Sequence, residues 1–354
     1  MAFSGAITAQ ETKATKSLSR AYLGSSLSMV EIVNKYGDVN VVEWDNDSVR
    51  FDVTIEAYGK SESSARKIMN RIDFDFKHVG QYVSAETILD RKSGFFEEIW
   101  NSIDDYSKKL LSSNKLTINY EVSVPKGAGI DVENKFGEVY LADLSGRIDI
   151  KMSHGELKTG ILNGESKLDL SFVNALIKEV KNGEVKLNAS ELEIELAHLL
   201  ELQSNSSEIN IEQANRLRID SRGDRKMEIH EVGILRGKSS FTRIEVDELV
   251  EEVDLNMSFG DIRIRNVKSN FSQLIIDGKS ADIRVSFDPK AYFNLDLFAK
   301  EEKLTMEYID EKSVETSHPE DKFVLIRGLV GSEKPYPGVV KINAQNGEVR
   351  IEIP

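Results

Sequence analysis

Cysteine is absent from the 354 residues, which excludes disulfides, thiolate metal sites, a cysteine nucleophile and a lipid-bearing cysteine. Histidine is scarce. The five, His78, His154, His198, His230 and His318, lie far apart, and none falls into an HExxH or HxH spacing, so no metal site is read from them. Phosphate loops, dinucleotide fingerprints and GxSxG elbows are missing, as are glycine-rich calcium nonapeptides. No apolar run reaches the roughly 18 to 20 residues that a membrane-crossing helix needs. Positive charge is also short: 46 Lys and Arg stand against 60 Asp and Glu, for a formal net charge of -14. That balance repels phosphate backbones, and with no basic patch to offset it nucleic acid and anionic membrane surfaces are excluded as partners. On these grounds no catalytic, cofactor-binding or metal-ligating residue is assigned and no cofactor is expected.

What the chain has in quantity is a repeat. Asn134-Lys135-Phe136-Gly137-Glu138-Val139-Tyr140-Leu141 has an earlier copy in Asn34-Lys35-Tyr36-Gly37-Asp38-Val39-Asn40-Val41, and later ones begin at Gly155, Gly183, Gly260 and Gly347. In each, glycine is read as the φ > 0 or unbranched corner, and the alternating residues after it as a short strand with one apolar face. Gly137, Gly146, Gly155 and Gly164 fall nine residues apart. Beyond them the interval settles near roughly 20 residues, a period expected of a solenoid whose coils bury their Val, Ile and Leu against one another. A β-sandwich is the competing reading, since turns every 8 to 12 residues or so suit it too. About ten coils between Gly137 and Ile353, at a rise near 4.8 Å, predict a rod of roughly 50 Å.

Taken in order, residues up to about Arg20 are polar and read as a loose leader. Ala2-Phe3-Ser4-Gly5-Ala6-Ile7-Thr8-Ala9 resembles the end of a secretory signal cleaved after Ala9, without the usual basic start. Trp44-Asp45-Asn46-Asp47-Ser48 has an Asp-x-Asp spacing but lacks the glycine and distal glutamate of a calcium loop, so it is read as a turn. Ser61 to Ile72 predicts an amphipathic helix opened by capping serines. Ile72 to Phe76 and Tyr82 to Ile88 predict a hairpin about His78-Val79-Gly80. A second helix is predicted over Phe95 to Leu111, its stripe of Phe96, Ile99, Trp100, Ile103 and Leu110 covering an open face or docking a partner. Glu191 to Leu196 alternates as a strand with a glutamate-lined outer face. Tyr292 to Phe298 predicts a strong strand, and Glu301 to Lys322 a looped excursion.

One constellation resembles chemistry. Aligning Thr242-Arg243-Ile244-Glu245-Val246, Gly260-Asp261-Ile262-Arg263-Ile264 and Ala281-Asp282-Ile283-Arg284-Val285 stacks Arg243, Asp261 and Asp282 in one outward column and Glu245, Arg263 and Arg284 in the next. Carboxylates beside guanidiniums are what a polysaccharide lyase uses to hold calcium and abstract a proton. The other reading is a solvated charge ladder in which every acid has a base beside it. Such surface pairs usually contribute below about 1 kcal/mol, and the ladder is the reading adopted.

The Asn34 to Val39 and Asn134 to Val139 copies, the Ser61 to Ile72 helix, the Val122-Ser123-Val124-Pro125-Lys126 turn and the closing Asn346-Gly347-Glu348-Val349-Arg350-Ile351 together resemble the putative adhesin family of secreted bacterial β-solenoid proteins. The resemblance implies a mainly β chain folded as a right-handed parallel β-solenoid, or β-helix. It also implies export to the periplasm, outer surface or extracellular space, and an adhesive role without catalytic residues. The domain scheme expected is a leader over 1–20, an α+β portion of strands and two helices (61–72 and 95–111) over 21–130, and solenoid repeats over 131–354. The function expected is a non-enzymatic adhesin or scaffold whose wall binds a glycan or an envelope protein, with a carbohydrate-active β-helix enzyme as the alternative.

Overall fold

The computed structural model describes residues 12–24, 28–89, 116–307, 313–331 and 337–353. The helix expected over 95–111 and the cleavage point after Ala9 lie outside the described residues. The protein is mainly β, in a large mixed sheet, with one α-helix and one 3-10 turn among the described residues. It divides into two compact units, Met1–Lys158 and Thr159–Pro354.

In the first unit, β1 (Thr12–Leu23), β2 (Met29–Lys35), β3 (Val39–Trp44) and β4 (Ser48–Gly59) precede helix α1 (Glu62–Met69), which is followed by β5 (Ile72–Val79), β6 (Tyr82–Leu89), β7 (Leu116–Pro125), β8 (Gly129–Lys135) and β9 (Val139–Leu141). The two sequence copies sit side by side, as the repeat requires: β2 pairs parallel with β8, Val30 facing Ile130, and β3 pairs parallel with β9, Val39 facing Val139. Each copy thus buries its apolar set against the other's, with Val30, Ile32, Val132, Val39 and Val139 all at 1% exposure or less. Burying such a side chain stabilises by about 1.5 to 3 kcal/mol.

Pairing is not parallel throughout, which corrects the expectation of a purely parallel architecture. The predicted hairpin forms as antiparallel β5 and β6 around Gly80 at φ 61°, and a tight turn can join strands only in that sense. β4 runs antiparallel to both β1 and β7. Residues 12–20, expected to be loose, are paired along their whole length in β1. Helix α1 opens with the capping box of Ser61 and Ser64, but stops at Met69 because Ile72, assigned to its stripe, is instead the buried first residue of β5.

β10 (Ile148–Asn188) is too long to be one straight strand; it bends at His154 and Phe172, each at φ 58°. In the second unit the chain continues through β11 (Glu191–Asn205), β12 (Glu208–Arg222), β13 (Lys226–Val267) and β14 (Gln273–Phe287). Asn174 faces Glu191, Glu191 faces Glu208 and Glu208 faces Lys226, all parallel, so the chain lies beside itself after 17, 17 and 18 residues. Apolar side chains therefore stack by kind: Leu192 on Ile209 on Met227, and Ile194 on Ile211 on Ile229. Glu191, Glu193 and Glu195 point out, as the alternation predicts.

Between β14 and its parallel partners β19 (Gly338–Ala344) and β20 (Val349–Glu352) lie β15 (Phe293–Lys300), β16 (Leu304–Glu307), β17 (Val314–Glu320) and β18 (Phe323–Val330). β15 matches the strong strand expected there. The excursion expected over 301–322 is not simply looped: β16 pairs parallel with β20, and β17 and β15 both pair antiparallel with β18.

The corners depart from the sequence expectation in an informative way. Left-handed φ falls on the residue before the repeat glycine, at Tyr36 (65°), Phe136 (61°), His154 (58°) and Phe259 (56°), at a cost of order 1 kcal/mol each. Glycine follows because the pass before comes too close for a side chain: a Cβ on Gly137 would stand 2.0 Å from the Gly37 carbonyl oxygen, and one on Gly155 1.9 Å from that of Gly137.

In the second unit the residue after the corner carries a polar atom that accepts the corner N–H of the pass before. Val173 N donates to Ser190 Oγ, Ser190 N to Ser207 Oγ, Ser207 N to Asp224 Oδ1 and Asp224 N to Thr242 Oγ1, at 3.1, 3.2, 2.8 and 3.1 Å. Asp224 is 3% exposed and also accepts the hydroxyls of Ser204 and Ser221. Removing such a buried acceptor leaves its donors unsatisfied, at about 1 to 3 kcal/mol for each one that cannot rebond. Asp224→Ala is therefore expected to lower unfolding free energy by about 3 kcal/mol, and Asp224→Asn, which keeps an acceptor oxygen, by much less. Urea denaturation of both variants checks this; equal losses would show that the acceptor oxygen is not what matters.

Candidate functional site

The outward face of β13, β14 and β20 brings the predicted constellation together. Because outward residues alternate with buried Ile244, Ile262 and Ile283, every second side chain faces solvent, and the parallel register aligns them across strands. Asp261 faces Asp282 and Arg263 faces Arg284, and the arginine column continues to Arg350. Arg243, Glu245, Asp261, Arg263, Asp282 and Arg284 line one open, polar recess of about 370 Å³.

The ion pairing within it differs from a ladder in which each acid has its own base. Arg243 Nε donates to Asp261 Oδ2 at 3.3 Å. Glu245 is held from outside the recess, by Arg265 Nη2 at 2.6 Å with Lys226 Nζ at 3.9 Å. Asp282 Oδ1 accepts the backbone N–H of Glu348 at 2.9 Å, as Asp38 Oδ1 accepts that of Glu138 at 2.9 Å in the first unit. The acid after the repeat glycine or alanine thus ties one pass to the next. Among the described residues Arg263 has no carboxylate partner, and Arg284 meets only Glu348, at 4.0 Å. Arg350, by contrast, is engaged by Glu307 at 2.7 Å and Glu352 at 2.5 Å.

Next along the face, Arg265 also pairs with Asp247, which His230 Nδ1 contacts at 2.7 Å. Partial burial raises the Asp247 pKa, but the hydrogen bonds from His230 and Arg265 outweigh it and the carboxyl ends below its ordinary range. The same bonds, to Asp247 first and then Glu245, push the Arg265 guanidinium upward. At the other border, Phe241 and Phe259 stack with centroids 4.9 Å apart and planes 9° from parallel. The sequence reading passed over these residues, although an aromatic before the glycine recurs in Tyr36-Gly37, Phe136-Gly137 and Phe259-Gly260. His78 sits in its turn with Nε2 3.2 Å from the Gly80 carbonyl, and Asp45, Asn46 and Asp47 form the turn between β3 and β4. Among the described residues no group of three His, Cys, Asp or Glu side chains is placed to hold a metal ion, and no helix is long and apolar enough to cross a membrane.

No protein-family profile and no curated protein matches the chain. Solved structures do share features with it. A putative adhesin from Bacteroides fragilis is 15% identical, with 76% of this chain and 97% of that one covered at a TM-score of 0.32. A putative adhesin from Parabacteroides merdae is 12% identical, covering 95% and 96% at 0.31, and a putative lipid binding protein from Parabacteroides distasonis is 11% identical, covering 95% and 96% at 0.28. The first two bear the name of the family that the repeats resemble.

Elsewhere on β13, Glu252 carries a titration that can be measured. Arg236 grips it with two bonds, Nε to Oε1 at 2.7 Å and Nη2 to Oε2 at 2.9 Å, and Gln273 Nε2 adds a third at 3.0 Å. The Arg236 hydrogen bonds, ahead of the opposing effect of burial, hold the carboxyl below its ordinary 4.5. A depressed folded pKa means that the ionised form's contribution is complete above the ordinary value and is lost as pH falls through the folded one. Thermal melts from about pH 6 to about pH 3 are expected to fall more steeply for the wild type than for Glu252→Gln. Parallel curves for the two proteins would show that this pair is not coupled to folding.

Proposed function

We propose that this protein is a non-enzymatic, exported adhesin or scaffold whose outward β wall binds a glycan or an envelope protein. Its repeats are read as a right-handed parallel β-solenoid spanning 131–354, after an α+β portion over 21–130 and a leader cleaved after Ala9. Parallel self-pairing at 17 to 18 residues supports the solenoid, and right-handed crossovers are the rule for parallel strands. The non-enzymatic reading is carried by how the acids of the recess are committed. Asp261 is held by Arg243, Glu245 by Arg265, and Asp282 by the Glu348 main chain. A general base must be free to take a proton, whereas acids held in place build a fixed surface.

The alternative, a lyase-like enzyme, draws on the same carboxylates and guanidiniums. Incubating the wild type and the Asp261→Asn/Asp282→Asn double variant with acidic and neutral polysaccharides, with and without calcium, separates the two. No shortening of any chain is expected; cleavage by the wild type that the double variant loses would establish the enzyme. Export has its own check. Fractionation of the native cells is expected to place the protein outside the cytoplasm with its amino terminus at Gln10, and a cytoplasmic protein with residues 1–9 intact would refute it.

A further inference from the structure

The geometry points to one class of glycan: we propose that the recess around Arg263 and Arg284 binds a carboxylated polysaccharide, with Phe241 at its border as a stacking platform for a sugar ring. This rests on the glycan-binding reading above and narrows it.

By count the six lining residues are neutral, but their partners leave the recess positive. Arg243 is used by Asp261, and Glu245 is drawn away by Arg265 and Lys226, neither of which lines the recess. What remains among the described residues is Arg263 without a carboxylate, Arg284 with one only at 4.0 Å, and Asp282 with one oxygen already on a backbone N–H. Arg263 and Arg284 face each other in register on β13 and β14, where neighbouring strands lie about 4.8 Å apart. Two exposed like charges at that spacing repel unless an anion lies between them, and each guanidinium presents a planar fork suited to a carboxylate.

Other features favour a sugar over a bare anion. Asp261 and Asp282 contribute acceptor oxygens to the same recess, useful for hydroxyl groups and repulsive to a ligand made only of negative charge. The volume falls within the range of about 300 to 1,000 Å³ typical of small-ligand sites, yet the recess is open, which suits one unit of a longer chain. Phe241 is 64% exposed and Phe259 45%. Phe259 covers one face of the Phe241 ring. On the pass before, the matching position is Gly223, next to the Arg222 and Ser240 pair, so the register partner there has no side chain to lay against the other face. Ring faces carry the negative part of the aromatic quadrupole and so attract the weakly positive C–H groups of a pyranose. From the Phe241 corner the arginine column is four residues along the strand direction, about 13 Å, a distance that consecutive sugar units bridge. The chain's net charge of -14 opposes any polyanion, and opposes a nucleic acid with a charge on every nucleotide more than a polysaccharide whose carboxylates stand a sugar or two apart.

Calorimetry on the full chain tests this with oligogalacturonate and hyaluronan as carboxylated probes, dextran as the neutral one and dextran sulfate as the sulfated one, each at low and high salt. The carboxylated probes are expected to bind and to weaken with salt. Arg263→Gln/Arg284→Gln is expected to lower their affinity by about tenfold or more, and Phe241→Ala to lower it with an unchanged salt dependence. Unaltered melting curves show that the variants fold, and Arg263→Lys/Arg284→Lys, which keeps charge without the fork, is expected to recover only part of the binding. Dextran bound as tightly as the carboxylated probes, equal or tighter binding of dextran sulfate, or a double glutamine variant that binds like the wild type would each overturn this inference while leaving glycan binding in place. Binding of none of the probes would overturn it together with the glycan reading.

Discussion

A backbone N–H at a strand corner, turned away from its ladder and needing an acceptor, is the constraint on which this structure depends. Where the chain bends through a left-handed residue, the next N–H would be left buried without a partner. In the second unit Ser190, Ser207, Asp224 and Thr242 supply the missing acceptors from the following pass. In the first unit and at the chain's last repeat the same task falls to Asp38 and Asp282, which accept the N–H of Glu138 and Glu348. In the second unit the acceptor comes from the following pass, and for Glu138 and Glu348 from an earlier one, so in each of these cases a neighbouring pass completes the backbone. One repeat cannot satisfy its own backbone, which gives the interdependence of neighbouring repeats a polar component beside the hydrophobic one.

This arrangement also fixes the outward wall. Side chains two apart share a face, and the corner ladder sets which residues of neighbouring passes align, so Asp261 must lie beside Asp282 and Arg263 beside Arg284. Like charges are brought together by register, then compensated by neighbours: Arg265 from the next column for Glu245, and Arg243 from the same column for Asp261. The recess is what remains where that compensation is incomplete.

Much of this is legible in the residue order. Alternation such as Glu191 to Leu196 identifies the strands, the repeated glycine-acid pair places two copies side by side in β2, β3, β8 and β9, and the two charge columns follow from aligning three segments. The direction of the added strands does not follow, because β4 and β18, antiparallel to all their partners, have the same alternation as the strands that pair in parallel, and only long-range pairing chooses their sense. Nor do the corner acceptors: Asp224 looks like one more turn residue in Ser221-Arg222-Gly223-Asp224, and its buried role appears only when Ser204 and Ser207 are brought beside it. The partners of Glu245 and Asp282 do not follow either, because they come from outside the aligned segments: the Arg265 guanidinium and the Glu348 main-chain N–H.

The strands at the margins of the two units have a bearing on solubility. A parallel ladder ends in a row of unpaired N–H and C=O groups, a template on which a second copy could grow into a fibre. Antiparallel strands are laid beside the ladders instead. β1 carries Lys13, Lys16 and Arg20 and is mostly exposed, and β17, nearly all polar and exposed, carries Pro319 and a register shift between Ser317 and Glu320. Proline removes a donor and a shifted register breaks the match with a neighbouring chain, so these margins are poor templates for continuing between molecules the alternation that builds the wall inside one.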